Sequence, residues 1–313
     1  MRNILVLCAE QIPQLLREAA GDSFTISTAP KDPSARNAAL REAEIIIGEP
    51  TFEELQIAKK LRWVQATWAG VERYTQGEFP RGVQLTSAAG AFGQTIAEHA
   101  LAMLLSLCRR LPTYCRKSDW RDAGCEIPLF GAKALVFGAG DIGTYIARLL
   151  KAFGVKTIGV CRNTARSLPN FDSLCTLFDA DKFLPTADFL LCALPHTKET
   201  LGYFSAERLG RVKSGALLVN VGRGSLIDTD ALVKSLENGR LAGAGLDVVN
   251  PEPLPARHPL WQMPNVIITP HVAGIGFGHL PRTEERIWQI CSENITRYKN
   301  GEQLRNAVYT QGE

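Results

Sequence analysis

The sequence predicts an α/β fold made of two doubly wound domains, each built on a parallel sheet. Three observations support this fold class. Short continuous apolar runs alternate with segments of helical periodicity through most of the 313 residues, which is typical of parallel strands covered by helices on both faces. The run Gly138-Ala139-Gly140-Asp141-Ile142-Gly143 stands between one such strand and one such helix. The length also suits about two domains.

The N-terminal third carries the first strand–helix series. Apolar runs predict strands at 4–8, 24–28, 45–48 and 63–67, and helical patterns predict helices at 12–20, 37–42 and 51–59. A long helix is then predicted from 95 to 110, because Arg109 and Arg110 suit its last turn and Pro112 follows it. The N-terminal apolar run stops at Glu10, so we interpret it as the first strand rather than as a signal peptide.

A second strand–helix series begins at residue 132. Its strands are predicted at 132–137, 157–161, 176–177, 189–193, 216–220, 242–247 and 266–269, and its helices at 144–153, 205–211 and 228–238. Residues 113–130 are expected to form an irregular connection. A final helix is predicted at 282–300, since Gly301 marks its C-terminal end.

The glycine run has the form G-x-G-x-x-G, which is a weak signal unless a strand precedes it and a helix follows it, as here. Gly138 allows the tight turn, Gly140 lets a pyrophosphate approach the backbone, and Gly143 lets the helix lie close to the sheet. The helix N-terminus then offers N–H groups and the positive end of a dipole to the phosphates. We therefore predict a dinucleotide-binding domain; a glycine-rich turn without a ligand is the alternative.

Composition argues against several classes of partner. The net charge is only +3 and no basic block is present, so we expect no nucleic acid. No apolar stretch approaches the roughly 18 residues that span a bilayer, so we expect no membrane. The eight cysteines include no C-x-x-C pair, and several lie in apolar runs. Free thiols, no metal site and a cytoplasmic location are the expectations.

Three polar residues follow successive predicted strands of the second series. Arg223 follows the strand at 216–220, Glu252 follows that at 242–247, and His271 follows that at 266–269. The carboxyl edge of an open parallel sheet is where ligands bind. Arginine clamps a carboxylate through two hydrogen bonds, histidine is the usual acid or base near neutral pH, and a carboxylate beside it would orient the ring. Together they indicate hydride exchange between a 2-hydroxy acid and nicotinamide, although each residue alone has an ordinary structural explanation.

Five ordered motifs give the chain its resemblance to a known family. They are the glycine run, Leu194-Pro195-His196-Thr197 with Thr200, Leu218-Val219-Asn220-Val221-Gly222-Arg223-Gly224, Gly245-Leu246-Asp247-Val248 with Glu252-Pro253-Leu254, and Thr269-Pro270-His271-Val272-Ala273-Gly274. With these motifs the chain resembles the D-isomer-specific 2-hydroxyacid dehydrogenases over nearly its whole length. Its pattern is most similar to the branch of NADP-dependent glyoxylate/hydroxypyruvate reductases.

The resemblance implies a role for each residue of the site. Arg223 would bind the carboxylate and carbonyl of the substrate, His271 would exchange the proton, and Glu252 would pair with His271. Backbone N–H groups of the loop Trp68-Ala69-Gly70 would bind the substrate carboxylate. The cofactor residues would be Gly138, Gly140, Asp141, Ile142, Gly143, Arg162, Asn163, Thr164, Pro195, Thr200, Val221, Gly222, Asp247 and Gly274.

The resemblance also implies a Rossmann-like layout in two domains. A substrate-binding domain would comprise residues 1–98 and 283–313, and a dinucleotide-binding domain residues 99–282. The substrate cleft would lie between them and close by a hinge motion.

The end of the strand at 157–161 departs from the usual NAD pattern. Such sites carry Asp or Glu about 20 residues after the glycine run, where the acid bonds the ribose 2′-hydroxyl. Here Arg162-Asn163-Thr164 follow the strand, and the first acid is Asp172. An arginine pairs with a 2′-phosphate that an acid would repel, so we predict NADP(H) as the preferred cofactor. NAD(H) stays possible if Arg162 stacks on adenine or faces solvent.

Trp68 would narrow the pocket, which favours a small 2-keto acid such as glyoxylate, hydroxypyruvate or pyruvate over a bulkier one. Two other functions stay open: an NAD(H)-sensing protein like the corepressors that share this fold, and a phosphite dehydrogenase.

We also expect a homodimer, because the helix at 95–110 carries Met103 and Leu107 on a further apolar face. Burial of that face within one chain explains it equally well.

Overall fold

The computed structural model describes residues 2–75 and 77–308, and the chain divides into two compact units. The first unit combines the chain up to Ala91 with the chain from Ile275, and the second unit is Phe92–Gly274. At both boundaries the chain passes from one unit to the other earlier than predicted, since the predicted boundaries lie after residues 98 and 282. The long helix α5 (Gly93–Cys108) packs on helix α7 (Asp141–Ala152) from its first residue, and Gly276 already lies against Ile287 of the first unit. These contacts account for the two shifts.

The first unit is built on a six-stranded sheet. Its strands are β1 (Arg2–Val6), β2 (Phe24–Thr28), β3 (Ile45–Ile47), β4 (Trp63–Gln65), β5 (Gln84–Thr86) and β13 (Ala307–Val308). Its helices are α1 (Gln14–Ala20), α2 (Pro33–Glu42), α3 (Phe52–Ile57), α4 (Glu72–Thr75) and α10 (Pro281–Lys299). The strand order is β13-β5-β4-β3-β1-β2, and every pair is parallel except β13 with β5. The order of the chain therefore reverses between β1 and β3.

The second unit is built on a seven-stranded parallel sheet in the order β12-β11-β10-β9-β6-β7-β8. Its strands are β6 (Lys133–Phe137), β7 (Lys156–Val160), β8 (Ser173–Cys175), β9 (Phe189–Cys192), β10 (Ala216–Asn220), β11 (Leu241–Leu246) and β12 (Val266–Ile268). Besides α5 and α7, its helices are α6 (Leu111–Arg116), α8 (Ala206–Arg211) and α9 (Thr229–Glu237). The order reverses between β6 and β9, as in a doubly wound dinucleotide-binding sheet.

The predicted fold class is confirmed, with a few local differences. β5, α4 and the antiparallel β13 were not predicted, because segments of two to four residues give too short a pattern; β5 has Leu85 as its one apolar side chain. Helix α6 occupies part of the segment predicted to be irregular, and β8 ends at Cys175 rather than spanning 176–177.

The structure also buries Met103 against Gly245 and Leu107 against Gly243. Packing within one chain therefore explains both faces of α5.

The central strands of both sheets are almost entirely buried, as the continuous apolar runs predict. Apolar side chains cover both faces of the second sheet, one face packing against α5 and α7 and the other against α8 and α9. Among residues 2–75 and 77–308, no helix has the length and apolar character to cross a membrane. Both sheets thus form rigid bases whose carboxyl-edge loops carry the polar residues discussed next.

Candidate active site

Several loops leave the second sheet at one level. The last residues of β6, β9, β10, β11 and β12 are paired across the sheet: Phe137, Cys192, Asn220, Leu246 and Ile268. Arg223, Glu252 and His271 lie in the loops after β10, β11 and β12, which are neighbours. The glycine turn follows β6 at the same edge. The structure therefore brings the polar residues and the glycine turn to the carboxyl edge, where open α/β sheets bind ligands.

His271 and Glu252 form a direct hydrogen-bonded pair. The Nδ1 atom of His271 lies 2.6 Å from Oε1 of Glu252. Their side chains are 43% and 42% exposed, so a ligand can reach both. A carboxylate on Nδ1 fixes the orientation of the ring and leaves Nε2 to give or take a proton on a ligand.

The buried carboxylate of Asp247, which is 3% exposed, anchors the backbone around His271. Its Oδ1 accepts the N–H of Val272 at 2.9 Å, and its Oδ2 accepts the N–H of Ala273 at 3.1 Å. The carbonyl oxygen of Asp247 accepts the N–H of His271 itself at 2.8 Å. His271 has a φ of 55°, in the region that non-glycine residues avoid. Asp247 thus maintains an unfavourable backbone conformation that directs the histidine.

A threonine and a second histidine extend this anchor. The Thr269 hydroxyl donates to Oδ1 of Asp247 at 2.6 Å, and Nε2 of His99 lies 3.0 Å from the same hydroxyl oxygen. Since a hydroxyl has one hydrogen, Thr269 accepts from His99, and His99 carries its proton on Nε2. In the structure His99 supports the His271 loop from helix α5.

Arg223 lies in a turn organised by Asn220, the last residue of β10. The fully buried side chain of Asn220 donates through Nδ2 to the carbonyl of Arg223 at 2.9 Å and accepts the N–H of Gly222 at 3.0 Å. The guanidinium of Arg223 donates to the carbonyl of Gly222 at 2.9 Å. The backbone of Arg223 is therefore fixed, and its half-buried guanidinium is held close to the turn.

The glycine turn after β6 fits a dinucleotide. Gly138 has a φ of 103°, and a Cβ there would lie 2.8 Å from the carbonyl oxygen of Ala193. A Cβ on Gly143 would collide with the carbonyl oxygen of Gly138, so this glycine lets α7 approach the sheet. A Cβ on Gly140 would meet nothing within 4 Å. The fold itself does not require a glycine at 140, whereas a pyrophosphate approaching the first turn of α7 would.

Comparisons with known proteins agree with this geometry. Residues 101–273 match the family model "D-isomer specific 2-hydroxyacid dehydrogenase, NAD binding domain". The chain is 30% identical to glyoxylate/hydroxypyruvate reductase B of Pectobacterium carotovorum subsp. carotovorum over 323 aligned positions, covering 98% of each protein.

The chain belongs to the D-isomer-specific 2-hydroxyacid dehydrogenases. Solved structures show the same fold. A family member from Aeromonas salmonicida subsp. salmonicida A449 superposes with a TM-score of 0.88 and 36% identity, covering 98% of this chain and 99% of that one. Another, from Xanthobacter autotrophicus Py2 in complex with NADPH and MES, gives a TM-score of 0.81 and 28% identity, covering 98% of both chains. The predicted family is confirmed, and with it an oxidoreductase that has a nicotinamide-cofactor domain.

The remaining predicted cofactor residues of this dehydrogenase lie in loops packed at the same edge. A Cβ on Gly222 would lie 2.7 Å from the carbonyl oxygen of Leu194, so the loops after β9 and β10 touch through their backbones. Thr200 donates to the carbonyl of Pro195 at 2.8 Å and is 6% exposed. The remaining predicted cofactor residues of these loops are Val221, which is buried, and Gly274, which packs near Ile96.

The predicted 2′-phosphate residues of the dehydrogenase are exposed. Arg162, Asn163 and Thr164 follow β7 and all lie at the surface. Asp172, the first acid after β7, accepts the N–H of Thr157 at 2.7 Å, and this hydrogen bond lowers the pKa of its carboxyl group. Asp172 is therefore engaged in holding β7. The end of β7 presents an arginine where NAD-binding members of the fold present an acid.

The loop Trp68-Ala69-Gly70 of the dehydrogenase follows β4 in the first unit. Trp68 is 53% exposed, and Ala69 is exposed as well. The carboxylate of Glu49, a residue that the sequence interpretation did not single out, binds the backbone immediately before this loop. A lone acid after a short strand gives no sequence signal, and only the contact reveals it.

Asn220 and Thr269 were quoted within the family motifs but were given no part in the site. The structure assigns them the backbone contacts described above. Among residues 2–75 and 77–308, no group of three or more His, Cys, Asp or Glu side chains is arranged to hold a metal ion.

Proposed function

We propose that the protein reduces a small 2-keto acid, of the glyoxylate, hydroxypyruvate or pyruvate type, to the D-2-hydroxy acid with NADPH. The observation that carries the proposal is the His271–Glu252 pair, with Nδ1 and Oε1 2.6 Å apart, at the sheet edge that also bears the dinucleotide turn. A histidine oriented by a carboxylate is suited to exchanging a proton with a carbonyl or hydroxyl oxygen.

When bound, the nicotinamide supplies the hydride that adds to the carbonyl carbon. Under this proposal Nε2 of protonated His271 gives its proton to the carbonyl oxygen, so the product receives one hydride and one proton. Glu252 stabilises the protonated ring before transfer and keeps it in the same orientation afterwards. In the reverse direction, neutral His271 takes the proton of the substrate hydroxyl.

Arg223 has two tasks in this proposal. Its guanidinium binds the substrate carboxylate with paired hydrogen bonds, and it stabilises negative charge that develops on the carbonyl oxygen. Asn220 fixes the backbone of Arg223 through the carbonyl at 2.9 Å, which supports a defined position for the clamp. Trp68, Ala69 and Gly70 are proposed to bind the same carboxylate, and the bulk of Trp68 favours small acids.

The cofactor residues divide between pyrophosphate and adenosine. Gly138, Gly140 and Gly143, together with Asp141 and Ile142 at the start of α7, would hold the pyrophosphate. Arg162, Asn163 and Thr164 would hold the 2′-phosphate of NADPH, because the guanidinium pairs with a phosphate that an acid would repel. The NADPH complex of the Xanthobacter relative and the name of the Pectobacterium reductase support this cofactor and this substrate class.

We propose that the protein forms a homodimer and that the second unit carries the interface. Leu111 and Trp261 are 48% and 42% exposed and line a surface groove, and Trp120 is fully exposed in the segment after α6. Exposed apolar side chains such as Leu111 and Trp261 around one groove mark interaction surfaces. Light scattering at several concentrations should give twice the chain mass, and Trp261→Asp should shift the protein toward the monomer.

The experiment that tests the proposal follows absorbance at 340 nm. NADPH and NADH are each offered with glyoxylate, hydroxypyruvate, pyruvate and phenylpyruvate. We expect NADPH oxidation to be fastest with one of the three small acids. Tight NADPH binding without turnover of any acid would contradict the proposal. Oxidation of phosphite by NADP⁺ would assign the site to phosphite instead, and binding without any turnover would favour a sensor.

A further inference from the structure

Glu49 makes an unusual set of contacts in the first unit. It follows β3, and its Oε1 accepts the N–H of Thr67 at 2.7 Å. The hydroxyl of Thr67 lies 3.0 Å from both carboxylate oxygens, and the N–H of Trp68 is close enough to lower the pKa of the carboxyl group. One carboxylate therefore holds both the peptide N–H and the hydroxyl of Thr67, immediately before the loop Trp68-Ala69-Gly70.

The same loop is fixed from its other side. The carbonyl of Trp68 accepts the N–H of Ala88 at 2.9 Å, and the N–H of Ala66 donates to the carbonyl of Thr86 at 2.8 Å. Within the described residues, no hydrogen bond takes the N–H groups of Ala69 and Gly70. Ala69 is exposed and Gly70 is half-buried. The anchored peptide groups thus lead directly into two N–H groups that are available to an anion.

Glu49 and the Trp68 loop lie at the edge of the first sheet where ligands bind in folds of this kind. β1, β3 and β4 are neighbours, and the order of the chain reverses between β1 and β3. Glu49 lies in the loop after β3, and the Trp68 loop follows β4, both at the carboxyl edge. In doubly wound sheets this position beside the reversal is where ligands bind. Gly48, with a φ of 125°, forms the turn that brings Glu49 back toward β4.

The carboxylate is retained in an unfavourable environment. Burial raises the pKa of Glu49 more than its hydrogen bonds to Thr67 and Trp68 lower it. The cation Arg73 lowers the pKa of Glu49 less than its hydrogen bonds do, while the thiols of Cys8 and Cys291 face it from the β1 loop and from α10. Glu284 of α10 acts on Cys8 in the same region. A half-buried, incompletely compensated charge more often reflects a functional requirement than a stabilising one.

We propose that Glu49 is a positioning residue for substrate binding. Its carboxylate orients the peptide groups of Thr67 and Trp68, so that the next two N–H groups, those of Ala69 and Gly70, converge on the carboxylate of the 2-keto acid. This inference rests on the proposed function of the Trp68 loop. It predicts that Glu49 acts on the affinity for the acid, through the backbone, without touching the substrate or the cofactor.

Glu54 provides the matched control within the same unit. It is also a carboxylate that accepts a backbone N–H, that of Thr51 at 2.9 Å, and it pairs with Arg36 at 2.7 Å. These contacts begin helix α3 and do not reach the Trp68 loop. Glu54→Ala therefore removes a structural carboxylate of similar kind, and Glu49→Gln keeps one oxygen in place to accept from Thr67.

The experiment measures KM for the best keto acid, kcat, and the dissociation constant of NADPH by its fluorescence. For Glu49→Ala we expect KM to rise about tenfold or more, in line with the loss of charge-assisted hydrogen bonds, while the NADPH dissociation constant stays within about twofold. Glu49→Gln should recover part of the loss. Glu54→Ala should lower the Tm and leave KM unchanged.

Calorimetric titration of the NADPH-loaded protein with oxalate provides a readout that needs no turnover. Weaker oxalate binding by Glu49→Ala than by Glu54→Ala supports the proposal, even if the wild-type protein reduces none of the acids and the proposed function fails. Equal KM and equal oxalate affinity in the two variants would overturn the role of Glu49. Parallel loss of NADPH affinity would also overturn it, because the substitution would then act on the whole protein.

Discussion

Nδ1 of His271 lies 2.6 Å from Oε1 of Glu252, and this contact joins the loops after two neighbouring strands, β12 and β11. Both side chains are more than two fifths exposed. Ion pairs of such exposure add little to stability, because water screens them and ordering two side chains has an entropic cost. The pair is therefore better explained by orientation of the imidazole than by stabilisation of the fold.

The first prediction separates the two members of this pair. His271→Ala should lower kcat by roughly a hundredfold to ten-thousandfold, the usual range for loss of an acid–base group. Glu252→Gln keeps the size of the side chain but removes its charge, so we expect a smaller loss of kcat. Steady-state kinetics with saturating cofactor measure both effects.

Thermal unfolding is the control for these two variants, and we expect their Tm to stay within a few degrees of the wild type. A His271→Ala variant with wild-type kcat would remove His271 from the mechanism. A Glu252→Gln variant with unchanged kcat would show that the charge of Glu252 is dispensable, since the amide oxygen of glutamine can still accept a hydrogen bond from Nδ1 of His271.

Much of the fold was predictable because the second sheet is made of continuous buried runs. Phe189-Leu190-Leu191-Cys192 is fully buried, and a short apolar run of this kind between two helices predicts a central strand. The short edge elements were not predictable. β13 pairs with β5 through Ala307 and Val308 only, and two residues carry no periodicity.

A second prediction concerns the glycine turn, where a side chain at position 140 would meet no protein atom but one at position 143 would collide with the backbone. Gly140→Ala adds a methyl group to open space at a φ of −86°, which alanine adopts, so the Tm should not fall. The methyl group would instead occupy the path of the pyrophosphate, and NADPH affinity should fall about tenfold or more. Fluorescence titration with NADPH measures the loss.

Gly143→Ala is the matched comparison. Its added Cβ collides with the carbonyl oxygen of Gly138, so either the backbone or the α7 helix must move. We expect a lower Tm and a loss of soluble protein for this variant. If Gly140→Ala bound NADPH as tightly as the wild type, the turn would not be the pyrophosphate site.

A third prediction concerns the choice of cofactor. Arg162→Ala should lower the ratio of kcat/KM for NADPH to that for NADH by about tenfold to a hundredfold, the value of one or two charge-assisted hydrogen bonds. The loss should appear in the NADPH value, with NADH little changed. Arg81→Ala, at an exposed arginine of the first unit, controls for the change in net charge. An unchanged ratio would mean that Arg162 does not contact the 2′-phosphate.

The candidate site was predictable where residue type and strand position coincide. Arg223 and His271 follow strands whose ends are paired across the sheet, through Asn220, Leu246 and Ile268, and the pattern of strands alone predicts that alignment. The contacts that hold such residues were not predictable. Glu49, after β3, reaches Thr67, after the neighbouring strand β4, and a contact of this kind depends on side-chain geometry that no local pattern encodes.

The last prediction concerns stability and distinguishes a functional from a structural role for Glu49. Its folded pKa is raised by burial above the ordinary value near 4.5. At pH values between the ordinary pKa near 4.5 and the raised pKa of folded Glu49, the folded chain binds more protons than the unfolded chain. The free energy of unfolding therefore falls as the pH rises through this window. Above the window the full penalty of the buried charge is present. Glu49→Gln has no charge to bury and escapes that penalty, although it loses one acceptor oxygen.

We therefore expect Glu49→Gln to have a Tm equal to or higher than that of the wild type at neutral pH, while its KM for the keto acid is higher. The difference in Tm should shrink as the pH falls through the raised pKa of Glu49, because the wild type then becomes neutral at this position too. Scanning calorimetry from pH 8 toward pH 4.5 measures it, with about 2–4 °C expected for each kcal/mol. Glu54→Gln should instead lower the Tm, since it keeps an acceptor for the cap of α3 but loses the charge that pairs with Arg36. A Tm of Glu49→Gln well below that of the wild type at neutral pH would make the carboxylate a structural element of the first unit.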